Sequence, residues 1–246
     1  MKNINIIAMA GDGERYLKTG IRIIKPLVKY KKKPLIYYST KSLPRAKKIF
    51  FICKKNHFES YKLNKYFKKY FKNYKFIKLK KKTAGQAISC YKAITYIPKN
   101  HQITFGSCDY FFTFNKKKHS KLMKKFDLLV FTNKPEKNML KNKNQYGWIK
   151  KDVNNKIKII KCKKIVSRNP ENDLVITGCF SFRNKDIFEK SFDLMIKKKN
   201  KIKNEYYMDV VAQTALKLKF KVGYIQVSNY KNFGTPGSLA SYEKKN

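Results

Sequence analysis

Short apolar runs alternate with stretches of helical periodicity through most of the chain. Residues 4–9 (Ile4-Asn5-Ile6-Ile7-Ala8-Met9) form a run that is too short for a stable helix and suited to a buried strand. Runs at 48–53, 75–79, 102–106 and 127–132 read the same way. Between them, residues 57–71 place Phe58, Tyr61, Leu63, Tyr66, Phe67 and Tyr70 on one helical face, and residues 85–97 do so with Ala87, Ile88, Tyr91 and Ile94. Residues 11–20 read as loop. Residues 34–40 follow a Lys31-Lys32-Lys33 bend and suit a helix, although Tyr37-Tyr38 would suit a strand equally. Strands alternating with helices in this way predict an α/β fold with a largely parallel sheet.

The rhythm changes in the second half. Residues 146–151 and 156–161 flank Asp152-Val153-Asn154-Asn155, which is a hairpin signal. A long strand is expected over 174–182, helices over 186–197 and 205–218, and a last strand over 221–227. The expected architecture is a three-layer α/β/α, Rossmann-like domain. Its central sheet is mixed but mostly parallel, and the second half carries a hairpin elaboration. No internal repeat is visible, and one domain over 1–246 is the simplest division.

Composition adjusts this picture in two ways. An apolar content of 42%, with 15% aromatics, is enough for a packed core in a chain of 246 residues. The charge is extreme: 59 basic against 15 acidic residues, a net +44. Only five of the basic residues are arginine (Arg15, Arg22, Arg45, Arg168, Arg183), whereas nucleic-acid readers favour arginine for bidentate and stacking contacts. The lysine tracts at 31–33, 80–82, 116–118 and 197–199 fall between the expected elements, so most of the charge reads as solvated surface. The rival evidence is 61–82, where aromatics interleave with lysines as in a surface that stacks bases. At helical spacing the same stripe is more simply a core face. Cys53, Cys90, Cys108, Cys162 and Cys179 are odd in number and form no C-x-x-C pair, which argues against a disulfide framework or a zinc site. His57, His101 and His119 lack metal-ligand spacing. The apolar start imitates a signal peptide but is too short, and no segment reaches the length of a membrane span, so a cytoplasmic protein without membrane insertion is expected.

The candidate chemistry lies at the ends of the strands. The first strand leads into Ala10-Gly11-Asp12-Gly13-Glu14-Arg15, with Lys25-Pro26-Leu27 ten residues on. Glycines permit close backbone approach, and Arg15 and Lys25 supply charge for an anion. The loop is neither a Walker A motif nor a dinucleotide fingerprint, since Tyr16 stands where the third glycine would be. Asp109 follows the strand at 102–106, where open α/β sheets place ligands, and one carboxylate with phosphate oxygens suits Mg²⁺. Thr83-Ala84-Gly85-Gln86 offers a small turn with an amide able to read a base edge. Asn232-Phe233-Gly234-Thr235-Pro236 offers an amide oxygen after the last strand.

Taken together, these segments resemble the sugar-1-phosphate nucleotidylyltransferases, or nucleoside-diphosphate-sugar pyrophosphorylases, which have a glycosyltransferase-A-like fold. The resemblance runs through Met9 to Arg15, Lys25-Pro26-Leu27, Lys33-Pro34-Leu35-Ile36, Gly85-Gln86-Ala87 and Cys108-Asp109. It continues through Lys163-Lys164, Thr177 to Phe182, Asn204 to Tyr207 and Gly234-Thr235-Pro236, in the family's order over essentially the whole chain. It implies a nucleotide-binding half at 1–135 and a sugar-phosphate-binding half at 136–246. Ala10, Gly11, Gly13 and Arg15 would hold the triphosphate, with Thr83, Gly85 and Gln86 at the base. Arg15, Lys25 and Asp109 would be catalytic. Asp109 and Asn232 would bind Mg²⁺, Lys164 would grip the acceptor phosphate, and Gly178 and Glu205 would shape the sugar pocket. The sequence departs from the family pattern at Glu14 in the glycine loop, Ile24 before Lys25 and Ile165 after the lysine pair.

The implied activity joins a nucleoside triphosphate to a sugar 1-phosphate, or a similar phosphorylated acceptor, for surface polysaccharide. Alternatives are a cytidylyltransferase for a head group such as phosphocholine, a catalytically silent member, or a basic nucleic-acid-binding protein. A glycosyltransferase would want an Asp-x-Asp motif, and Asp109 is followed by Tyr110-Phe111. No specific nucleic-acid partner is expected, and a homo-oligomer remains open.

Overall fold

The structure, a computed structural model, describes residues 2–243. Its first strands are β1 (Asn3–Ala8), β2 (Lys29–Tyr30), β3 (Lys33–Pro34), β4 (Lys48–Lys54) and β5 (Tyr74–Leu79). Next come β6 (Gln102–Ser107), β7 (Tyr110–Thr113), β8 (Leu128–Asn133), β9 (Trp148–Lys151) and β10 (Ile157–Lys161). The last are β11 (Leu174–Phe182), β12 (Val222–Gln226) and β13 (Ser228–Asn232). The main sheet has the order β12-β8-β11-β6-β1-β4-β5, and the antiparallel β9–β10 hairpin joins it at the start of β11. In this seven-strand run only β11 is reversed. The expected mixed, mostly parallel sheet is therefore present.

Period-two alternation explains the three layers. Ile4, Ile6, Phe50, Ile52, Leu128 and Val130 point to one face, where they meet residues of the helices Gln86–Tyr91, Lys185–Lys197 and Met208–Lys217. Ile7, Met9, Phe51, Cys53, Leu129 and Phe131 point to the other, against the helices Leu35–Lys41, Leu63–Phe67 and Lys116–Lys125. Strands buried on both faces read as continuous apolar runs, as the sequence showed. Asn5 interrupts the first run without cost because its amide donates to the Pro44 carbonyl at 2.9 Å and its oxygen accepts from Asn3 at 2.8 Å.

Several expectations need correction. The helix expected over 57–71 is broken into Lys55–Ser60 and Leu63–Phe67 by Lys62, whose φ of 44° is left-handed. The break turns Leu63 and Phe67 fully inward, and Phe67 packs 4.8 Å from Phe51. In the aromatic stripe at 61–82, Leu63, Phe67 and Phe71 are core, and Tyr61, Tyr66, Tyr70, Tyr74 and Phe76 pack half-buried against them. The helix over 85–97 stops at Tyr91, followed by a single tight turn at Ile94–Tyr96. The tract at 116–118 is not a linker: it opens the helix Lys116–Lys125, capped by Asn115 and held by His119, Leu122 and Met123. Likewise Lys197 is the last residue of the helix Lys185–Lys197. The loop at 11–20 contains one helical turn, Glu14–Leu17. Residues 34–40 take the helical alternative, Leu35–Lys41. The strand pair β7–β13 was not legible, and it matters most for the site.

Candidate active site

Parallel pairing of β1 with β6 sets Ala8 beside Ser107, so the chain leaves both strands at the same level. The glycine loop and Asp109 are thereby brought together. Gly13 adopts φ +70°, a conformation that strains other residues, and caps the turn Glu14–Leu17. Tyr16, fully buried, donates its hydroxyl to the Phe233 carbonyl at 2.7 Å and ties this loop to the segment after β13. Burial pushes its phenol up to about 12.

Lys25 begins a tight turn, Lys25–Leu27, in which the Leu27 amide donates to Ile24 at 2.9 Å and the Val28 amide to Lys25 at 3.1 Å. Ile24 is buried, so packing fixes a turn for which the family pattern uses proline. The Lys25 ammonium donates to Asp109 Oδ2 at 2.8 Å, and Ser107 donates to Oδ1. Burial alone would push Asp109 up, but Lys25 and Ser107 outweigh it and hold the carboxyl below its ordinary range. Burial likewise disfavours charge on Lys25, and Asp109 reverses this, so the lysine is held above its usual value.

Three cavities meet at Asp109. The first, about 270 Å³, is lined by Ala10, Gly11, Gly13, Thr83, Gly85 and Gln86. The second, about 240 Å³, is bounded by Asp12, Gly13, Glu14, Arg15 and Lys25. The third, about 320 Å³, is lined by Tyr146, Lys163, Gly178, Tyr207, Asp209 and Asn232. Asp109 is a wall of all three. Pairing of β7 with β13 sets Asn232 opposite Tyr110, and the Phe233 amide donates to the Asp109 carbonyl at 2.7 Å. The Asn232 side chain accepts from the Gly234 amide at 2.8 Å, which orients its oxygen. Asp109 and Asn232 both line the third cavity, where the Asn232 amide nitrogen donates to the Tyr146 hydroxyl at 3.4 Å. Among the described residues no cluster of three His, Cys, Asp or Glu side chains could hold a metal alone.

A family model described as nucleotidyl transferase matches residues 4–244. The chain belongs to the nucleotidyl transferase family. Among curated protein sequences there is no match. Among solved structures, the transferase resembles a nucleoside-diphosphate-sugar pyrophosphorylase from Vibrio cholerae RC9, with a TM-score of 0.80 and 16% identity over 98% of this chain and 99% of that one. It also resembles an inositol-1-phosphate CTP transferase from T. maritima, with a TM-score of 0.74 and 15% identity over 99% and 97% of the two chains.

Most of the residues singled out in the transferase's sequence lie on these three cavities. Lys164 does not: it is exposed, and its neighbour Lys163 lines the third cavity instead. Lys163 has a left-handed φ of 52°, which turns its ammonium inward, 2.6 Å from the Tyr207 hydroxyl and 4.2 Å over that ring. Tyr207 in turn donates to Glu205 Oε2 at 2.5 Å, so Glu205, a wall of the first cavity, is linked to the third. Glu14 is exposed and, among the described residues, makes no ion pair with Arg15 or Arg22.

Sequence reasoning missed Lys163, Tyr146 and Asp209. Asp209 lines the third cavity half-buried, and desolvation pushes its carboxyl up to about 6 against the Cys162 thiol and Lys163. Gly147 leaves it room, since a Cβ there would collide with the Asp209 carboxylate.

Proposed function

We propose that the transferase moves a nucleotidyl group from a nucleoside triphosphate to the phosphate of a sugar 1-phosphate, releasing pyrophosphate. The observation that carries this reading is the shared wall at Asp109. A cavity with Gln86, a cavity with Arg15 and Lys25, and a polar cavity with Lys163 all open onto one ion pair.

An oxygen of the acceptor phosphate, already anionic at neutral pH, forms the new bond to the α-phosphorus. The bond from that phosphorus to the β-bridging oxygen breaks, and its electron pair leaves with pyrophosphate. No general base is needed, which agrees with a site free of histidine and of reactive thiolate. The protein's task is to align two repelling anions and neutralise the leaving group. Lys25 supplies charge beside the α-phosphate, Arg15 and the glycine-loop amides face the phosphates beyond it, and Lys163 holds the acceptor phosphate. Asp109 and Asn232 would hold Mg²⁺, which supplies charge to the phosphate oxygens when bound. Free thiols throughout and the need for nucleoside triphosphates fit a cytoplasmic enzyme feeding surface-polysaccharide assembly.

The test is pyrophosphate release over a panel of nucleoside triphosphates and acceptors (sugar 1-phosphates, inositol 1-phosphate, phosphocholine), with and without Mg²⁺. One pair turning over, with Asp109→Asn folded but inactive, supports the assignment. No release with any pair would remove it. Asn232→Ala should raise the Mg²⁺ requirement, and an unchanged metal titration would take Asn232 out of the site.

A further inference from the structure

The glycine loop carries an acidic residue where a phosphate is expected. Asp12 lies between Gly11 and Gly13, and its two oxygens face two lysines. Lys54, the last residue of β4, pairs with Oδ1, and Lys82 stands 3.6 Å from Oδ2. Lys54 is 18% exposed and rooted in the sheet beside the loop, where the Met9 amide donates to the Ile52 carbonyl at 2.9 Å. Lys82 is 61% exposed and also lines the first cavity, with Gly11, Gly13 and Gln86. Asp12 itself lines the second cavity with Arg15 and Lys25.

One carboxylate between two ammonium groups is the arrangement that a phosphate group would adopt in its place, and it leaves a surplus positive charge at the mouth of both cavities. The surrounding backbone permits exchange. Nothing lies within 4 Å of a Cβ built at Gly11, and Gly13 has a positive φ, so Asp12 is flanked by two residues with wide conformational freedom. A triphosphate end carries more charge and more acceptor oxygens than one carboxylate, so it competes well for the two lysines.

We propose that Lys54 and Lys82 form a subsite for the terminal phosphates of the nucleotide, and that Asp12 is the resident anion those phosphates displace. The subsite rests on the nucleotidyl-transfer reading for its natural ligand, but as an anion site it can be tested without it. Asp12 keeps the lysine pair assembled in the free enzyme and makes the loop selective for polyphosphate over singly charged anions.

The experiment is calorimetric titration of the full chain, without acceptor, using inorganic tripolyphosphate and a nucleoside mono- and triphosphate panel. Lys82→Met, at an exposed position that leaves folding intact, should weaken tripolyphosphate and triphosphate binding about tenfold and leave monophosphate binding unchanged. Asp12→Asn should tighten tripolyphosphate binding, and this gain should vanish in the Lys54→Met/Lys82→Met background. Weaker or unchanged binding by folded Asp12→Asn, or an effect of Lys82→Met on mono- and triphosphate alike, would overturn the subsite. If the subsite behaves as stated but no nucleotide and acceptor pair releases pyrophosphate, the transferase reading fails and the anion site stands. If turnover is found and the lysine variants bind as wild type, the reverse holds.

Discussion

Lys163 and Lys164 are chemically identical neighbours, yet only Lys163 lines the third cavity, where the proposed acceptor phosphate would sit. The ammonium of Lys163 is turned onto Tyr207 and into the third cavity, while Lys164 is exposed. Lys163→Met should therefore raise the acceptor KM about tenfold or more with the nucleotide KM unchanged. Lys164→Met should change neither, and steady-state kinetics with both variants decides between them. His119 gives a second residue-scale test. It is buried, its Nε2 sits 3.1 Å from the Ser181 hydroxyl, and burial holds its pKa down at about 4. Above pH 6.5 the imidazole is neutral in both folded and unfolded chains. As pH falls below that value the unfolded chain takes a proton that the folded one refuses until about pH 4, so stability is lost across that window. The loss from this one group is on the order of 3 kcal/mol. Asp209 opposes it, because its raised pKa of about 6 lets the folded state hold a proton that the unfolded state has lost. Denaturant unfolding of wild type and His119→Gln between pH 7.5 and pH 4.5, conditions spanning roughly that window, should show a shallower acid decline in the variant. Parallel curves would mean that His119 does not titrate as its burial requires.

At the scale of elements, two glycines decide how segments approach each other. Gly85 has φ +117°, and a Cβ there would lie 2.5 Å from the Tyr206 carbonyl oxygen. The same stretch is stitched by the Tyr206 amide to Ala84 at 2.8 Å and the Ala87 amide to Tyr206 at 3.0 Å. This seam carries Gln86 and Glu205 onto one cavity. Gly85→Ala should destabilise the protein by roughly 2–4 kcal/mol through backbone strain and displacement. Unfolding can be followed by the single tryptophan, Trp148, which is buried with its Nε1 donating to the Lys143 carbonyl at 2.9 Å. A variant as stable as wild type would show that the seam gives way easily. Gly147→Ala should act differently, pushing on the Asp209 carboxylate in the third cavity. It should raise the acceptor KM while nucleotide binding, measured by calorimetry, stays as in wild type. An equal loss of nucleotide affinity would count against separate cavities.

Over the whole molecule the dominant feature is net charge. With +44 on 246 residues, unpaired lysines repel one another in the compact state more than in the expanded chain. Raising the ionic strength from about 0.01 to about 0.15 M shortens the screening length from about 30 to about 8 Å. The melting temperature should rise over that range. A flat or falling dependence would mean that local ion pairs, such as Lys54 and Lys82 on Asp12, outweigh the general repulsion.

The sequence by itself determined what depends on short windows of chain. Continuous apolar runs marked β1, β4 and β8 as buried strands, and Gly13 and Gly85 marked turns whose backbone other residues resist. The order of motifs carried the family. What it did not determine depends on pairings between distant segments, whose energy no local window contains. Lys25 and Asp109 are 84 residues apart, and only the level at which β1 and β6 end makes them an ion pair. Asn232 reaches them through β13 on β7, a pairing with no local turn signal. Which lysine of 163 and 164 points inward hangs on one left-handed φ that lysine does not prefer. Asp12 read simply as the variable residue between two glycines. Tertiary structure placed it between Lys54 and Lys82, because β1, β4 and the segment after β5 end side by side.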